Sequence, residues 1–141
     1  MREVFVGSEA VAAGRISEHE LRRWYQPVFR DVYMPKSVRL SLRDRTECAW
    51  LWSKRRAVIA GVAAAALHGA QWIDPGEPVE LIAPSARRQE GLIVRNEALA
   101  ENEITKIAGL RVTTPARTAF DLGRHLPVDA AITRIDALQH A

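Results

Sequence analysis

GSEAVAAGRISEHELRRWYQPVFRDVYMPKS, residues 7–37, holds the outline of a short helix-turn-helix followed by a hairpin. Ser8 to Ala13 suits a short helix, and Gly14 tolerates the left-handed turn that would end it. Ser17 and Glu20 stand at the S-x-x-E spacing of a capping box, in which each side chain satisfies the other residue's backbone N–H. A second helix is therefore expected from that point. In it, Ile16, Leu21 and Trp24 or Tyr25 fall at near-helical spacing and are expected to face a core, which leaves His19, Arg22 and Arg23 toward solvent. Pro27 should end the helix. Val28-Phe29 and Val32-Tyr33-Met34 read as two short strands around Arg30-Asp31, with Pro35 and Lys36 closing the unit. The pattern is that of a winged-helix DNA reader, whose second helix enters the major groove. The alternative leaves Arg22 and Arg23 as an ordinary solvated helix face.

The charge distribution favours the first alternative. The chain has 141 residues, enough for one domain or two small ones, and a formal net charge of +3. Residues 1–69 hold 12 Lys and Arg against 7 Asp and Glu, a balance of +5, whereas residues 70–141 hold 8 against 10, a balance of −2. The basic half is the half with the reader, which suits phosphate contact there and makes salt sensitivity an expectation. Cys48 is the only cysteine, so no intramolecular disulfide forms, and its apolar neighbours mark it as a small buried hydrophobe. No basic-then-apolar leader opens the sequence. The longest apolar stretch, residues 57–67, is too short to span a bilayer, and a cytoplasmic protein without membrane attachment is expected.

Beyond the reader, residues 37–43 read as a polar connector and residues 44–54 as a helix. Trp50 and Trp52 are two apart and do not share one narrow stripe, so this helix should bury more than one side, between the two halves of the chain. Lys54-Arg55-Arg56 is read as a basic helix end answering the last carbonyls, in preference to a phosphate site. Residues 57–69 suggest an alanine-rich helix stopped by Gly69. Residues 78–84 and 91–95 read as two strands. A second extended pair, 103–107 and 110–113, flanks a tight Ala108-Gly109 turn. Thr114-Pro115 supplies an N-cap and first-turn proline for a helix over 116–124, and a last helix should bury Ala131, Ile132, Ile135 and Leu138. The expected fold is α+β: a short winged-helix-like unit over residues 1–43, then a small α/β domain over 44–141 with two hairpins and packed helices.

No catalytic constellation emerges. His19, His68, His125 and His140 are scattered, no metal-ligand spacing is present, and there is neither a phosphate loop nor a G-x-S-x-G elbow. Glu77 and Glu80 lack the E-x-K arrangement of a magnesium-dependent nuclease strand. Asp121 is the most tempting acid, but Arg117 lies four residues before it on the same helix, and a surface ion pair worth about 0.3 to 0.5 kcal/mol is the expected role. Phe120 and Leu122 should point inward. Neither enzyme activity nor a cofactor or metal is expected.

RAVIAGVAAAALHGA (56–70), PVELIAP (78–84), GLIVRNEAL (91–99) and above all GLRVTTPARTAFDLGRHLP (109–127) resemble the AbiEi family, the antitoxin-like transcriptional regulators of abortive-infection type IV toxin–antitoxin systems. The string T-P-x-R-T-x-x-D-L, here Thr114, Pro115, Arg117, Thr118, Asp121 and Leu122, is the most specific match. The resemblance implies an N-terminal winged helix that binds double-stranded promoter or operator DNA, an α/β antitoxin domain behind it, autorepression, and a nucleotidyltransferase-like toxin as partner. On this reading Arg15, Ser17, His19, Arg22 and Arg23 form the DNA face, flanked by Arg30 and Lys36 of the wing. The chain is also similar to the N-terminal part of longer actinobacterial proteins that carry a downstream nuclease-like domain related to very-short-patch repair endonucleases, a domain absent here. Two alternatives therefore stand beside the regulator: an orphaned module of such a nuclease protein, without catalysis of its own, and a protein-only toxin-binding partner.

Overall fold

A computed structural model describes residues 4–84 and 87–141 of the chain. Among them the elements are a mixture of helices and two sheets, the α+β architecture expected from sequence.

The first sheet belongs to the N-terminal segment. Strand β1 (Phe5–Val6) leads directly into α1 (Gly7–Ala12). Gly14 makes the left-handed turn at φ 72°, and α2 (Glu18–Trp24) follows. The Ser17–Glu20 capping box forms in full, with Ser17 Oγ accepting from Glu20 N at 3.1 Å and Glu20 Oε1 accepting from Ser17 N at 3.0 Å. Pro27 does not end the helix. α2 stops at Trp24, and Pro27 lies inside β2 (Tyr25–Phe29), which pairs antiparallel with β3 (Val32–Pro35) in the order β1-β3-β2. An edge strand tolerates proline because its missing donor faces outward. The strands are longer than their β-branched cores suggested, since Tyr25 and Gln26 pair with Pro35 and Met34.

Helix α3 (Leu42–Trp52) joins the two sheets. It opens on a second capping box, Ser41 with Asp44, and packs against the strands of the first sheet and against the second sheet. Cys48 and Ala49 are wholly buried and Trp52 nearly so, whereas Trp50 is only half-buried, as a helix sandwiched between two sheets requires. Burial pushes the Cys48 thiol up to about 12, so it stays protonated and unreactive. Phe29 and Val32 of the hairpin belong to the same apolar cluster as Ile59, Leu81 and Val112 of the second sheet.

The second sheet corrects one expectation. Residues 58–60 are not helical: Val58–Ala60 form β4, and only Gly61–Leu67 form the helix, α4. A short, wholly buried apolar run carries no periodicity, and here the β-branched Val58 and Ile59 favour the strand. β4 is the middle strand of the order β6-β5-β4-β8-β7, with β5 (Val79–Ile82), β6 (Leu92–Arg95), β7 (Ile104–Ile107) and β8 (Leu110–Thr113). β5 and β6 lie side by side but run parallel, so the chain crosses over between them instead of turning in a hairpin. β7 and β8 do form the expected hairpin, with Ala108 and Gly109 both at positive φ, 51° and 84°.

Two helices, α5 (Pro115–His125) and α6 (Val128–Gln139), pack with α4 on the sheet. Leu122 and Leu138 enter the core there, but Phe120 and Ile132 do not: they are 59% and 62% exposed. α6 turns Ala131, Ile135 and Leu138 toward α4 and α5, which leaves Ile132 past the edge of the buried arc. No helix among the described residues is long and apolar enough to cross a membrane.

Candidate nucleic-acid interface

The residues nominated for DNA contact are all exposed, and they fall into two groups. Arg15 follows the Gly14 turn, with its N–H bonded to the Ala10 carbonyl at 3.0 Å. Ser17 and His19 occupy the N-cap and first turn of α2, and Arg22 and Arg23 its last turn. Lys36 joins them, because its N–H donates to the Trp24 carbonyl at 3.0 Å and holds the open end of the hairpin against the end of α2. Arg30 is not part of this group. It sits at the opposite end of the hairpin, about 17 Å away along the strand, and its N–H donates to Gln89 Oε1 in the second half of the chain at 3.1 Å. The turn is clamped further by Asp31, whose carboxylate accepts from Ser8 N at 3.0 Å and Ser8 Oγ at 2.5 Å. The β2–β3 turn is thus fastened to α1 and to Gln89.

Of the two candidates for the inward place, Trp24 is 59% exposed, with the Arg23 guanidinium 5.0 Å from its ring. Tyr25, one position later, takes the inward place and meets Phe5 edge-on. The outer surface of α2 therefore offers a stacked Arg23–Trp24 pair. Glu18 and Glu20 lie in the first turn of α2, where they complement its positive end. Its cationic character is concentrated in the last turn.

A second constellation lies on α5. Thr114 caps the helix by accepting from Arg117 N at 3.3 Å, Pro115 starts its first turn, and Thr118 Oγ1 meets Thr113 Oγ1 at 2.7 Å. Arg117 is only 9% exposed. Its Nε donates to Asp121 Oδ1 at 3.1 Å, its Nη1 to Glu103 Oε2 at 3.1 Å, and its Nη2 to Glu97 Oε1 at 2.8 Å. Arg124 adds bonds to Asp121 Oδ1 at 3.0 and 2.7 Å and to Glu97. The ion pair inferred from the four-residue spacing exists, but it is buried and not superficial, with Asp121 only 2% exposed. Phe120, on the outer side of the helix, carries the Arg124 guanidinium 4.9 Å from its ring.

The electrostatics follow from this packing. Burial raises the Glu97 carboxyl, but Arg124 and Arg117 outweigh it and hold the group below the usual carboxylate range. Glu103 is lowered by the Ala100 N–H and then by Arg117. His125 is pushed below its ordinary value by burial and by Arg95 and Arg124, and its Nε2 lies 3.8 Å from Glu97 Oε2 without a hydrogen-bond partner among the described residues. Glu80 is raised, chiefly by burial, with Arg95 Nε 3.9 Å away.

Glu97, Asp121 and His125 bring possible ligand atoms within 4.8 Å of one another. A divalent ion would have to compete with the guanidinium bonds to both carboxylates, so the donor set fits an ionic clasp better than a metal centre. Its four anchors, the loop after β6, the turn before β7, the β8–α5 junction and α5 itself, are locked together. This explains why the string from Thr114 to Leu122 contains a cap, a helix-starting proline, a buried hydroxyl and a charged pair. Sequence spacing identified the pair but could not reveal Glu97 and Glu103, which arrive from 20 and 14 residues upstream of Arg117.

No curated protein and no solved structure matches the chain. Residues 57–141, which contain the sheet, the clasp and both terminal helices, match the family model of the AbiEi antitoxin C-terminal domain, and the chain belongs to the AbiEi antitoxin family.

Proposed function

We propose that the protein is a DNA-binding, autorepressing antitoxin-like regulator of a type IV toxin–antitoxin system, acting in the cytoplasm without catalysis of its own. The observation that carries this reading is the capped α2, which holds His19, Arg22 and Arg23 at the surface beside Lys36 while Leu21 anchors it beneath. Such a helix meets the major groove through side chains at its exposed face, and its phosphate contacts come from the flanking cations. The α/β domain behind it supplies the antitoxin part, and its partner is a nucleotidyltransferase-like toxin. Lys36, held against the end of α2, supports the reading as the wing cation nearest that helix, and Arg30 flanks it from the other end of the hairpin.

A mobility-shift titration with the DNA upstream of the protein's own gene tests this reading. Binding to that duplex about a thousandfold or more tighter than to scrambled sequence supports a specific operator. Equal affinity for both, or none, overturns it.

A further inference from the structure

We propose that the cleft between the reader and the α/β domain binds a small ligand carrying two or more linked phosphates, such as a nucleoside polyphosphate. The cleft has a volume of about 690 Å³ and is walled by Ser8, Arg30 and Asp31 on one side and by Trp52, Lys54 and Arg87 on the other. A smaller cleft of about 190 Å³ shares Trp52, Lys54 and Arg87 and adds Arg56. Among the described residues their linings bring together Arg30, Lys54, Arg55, Arg56 and Arg87, beside the carboxylates of Glu9 and Asp31.

Both carboxylates are already engaged. Glu9 forms a two-pronged pair with Arg55 at 2.8 and 2.9 Å, and Asp31 receives Ser8. Among the described residues no carboxylate lies within ion-pair distance of Arg30 or Lys54, which line this cleft, or of Arg56, which lines the smaller one. Lys54 and Arg55 are consecutive non-glycine residues at φ 62° and 63°, a left-handed turn that sets both at the cleft. Such backbone gathers at ligand-binding loops.

Several cations converging from different elements suit linked phosphates better than a single carboxylate. The size is that of a small-molecule pocket, and the apolar Val6, Val32 and Leu51 in the same lining suit a nucleoside. The carboxylates of Glu9 and Asp31 in the wall disfavour a continuous phosphodiester backbone. Because one wall is built on α1 and the β2–β3 turn, a bound ligand would also fix the reader against the α/β domain. The site does not depend on the DNA-binding reading and is measured without DNA.

Isothermal titration of the full chain with ATP, pyrophosphate and adenosine is the test, repeated on Arg30→Glu and Lys54→Glu, whose melting curves check the fold, and on Arg22→Ala/Arg23→Ala. ATP and pyrophosphate should bind and adenosine should not, and each charge reversal should weaken binding about tenfold or more. Tighter ATP than pyrophosphate identifies a nucleotide, and equal affinity a free polyphosphate; either supports the site. No heat at about 1 mM ligand, adenosine binding as tightly as ATP, or loss of binding in Arg22→Ala/Arg23→Ala with the folded cleft variants unaffected overturns it.

Discussion

Arg117 and Asp121 stand one turn apart on α5 and are both withdrawn from water, Nε 3.1 Å from Oδ1, with Glu97 and Glu103 closing on the same guanidinium. An exposed pair at this spacing contributes little, but removing one partner of a buried pair strands the other.

Asp121→Asn should therefore lower stability by about 2 to 4 kcal/mol, and Thr114→Ala by about 1 kcal/mol through the lost cap. Phe120→Ala should cost under about 1 kcal/mol, because the ring is mostly exposed and gives up little buried area. Chemical denaturation of the three variants gives the order. A Phe120 variant less stable than the Asp121 variant contradicts the arrangement.

Gly61 and Gly14 form a second comparison. Both have positive φ, 59° and 72°, but a Cβ at Gly61 would overlap the Glu80 carboxylate whereas nothing lies near Gly14. Gly14→Ala should cost about 1 to 2 kcal/mol from backbone strain alone, and Gly61→Ala about 3 kcal/mol or more. Equal losses in thermal melts would contradict the close approach of Glu80 to the start of α4.

The pH dependence has a definite sign. His125 binds its proton less readily in the folded protein, so the unfolded chain takes up more protons as pH falls below about 6.5, and stability drops in that window. Glu97 and Glu103, held low in the fold, add a further loss as pH falls from about 4.5 through their folded values. Glu80 acts oppositely: its raised value favours the fold at low pH, and that contribution disappears as pH rises through its folded value. His125→Gln should flatten the stability profile between about pH 7 and 5. An unchanged slope there contradicts the lowered proton affinity of His125 in the fold.

The elements whose signals are local were legible in the sequence. The Ser17–Glu20 box, the Thr114–Pro115 helix start and the Ala108-Gly109 turn each rest on residues a few positions apart, and each appears as expected. What was missed depends on distant partners. Val58–Ala60 becomes a strand because β5 and β8 flank it, and Arg117 gains two further carboxylates because Glu97 and Glu103 arrive from earlier in the chain. Trp24 and Tyr25 were interchangeable by spacing, and Phe5, outside the segment, decided between them. The exposure of Arg22 and Arg23 was legible because α2 itself sets it; the docking of the β2–β3 turn on Gln89, from 59 residues away, was not.

The guanidinium-bound carboxylates predict a response to metal. Magnesium or manganese should leave the melting temperature unchanged, and the purified protein should not cut duplex DNA in either ion. Cleavage that survives repurification and is lost in Asp121→Asn would make the clasp a working site.

The most direct measurement is fluorescence anisotropy of a labelled upstream duplex, titrated with wild-type protein and with Arg22→Ala/Arg23→Ala from about 50 to 200 mM salt. The double variant should lose about 1 to 3 kcal/mol of binding free energy, and its slope of log affinity against log salt should fall by about one to two. An isotherm and salt slope identical to wild type would contradict α2 as the DNA-reading helix.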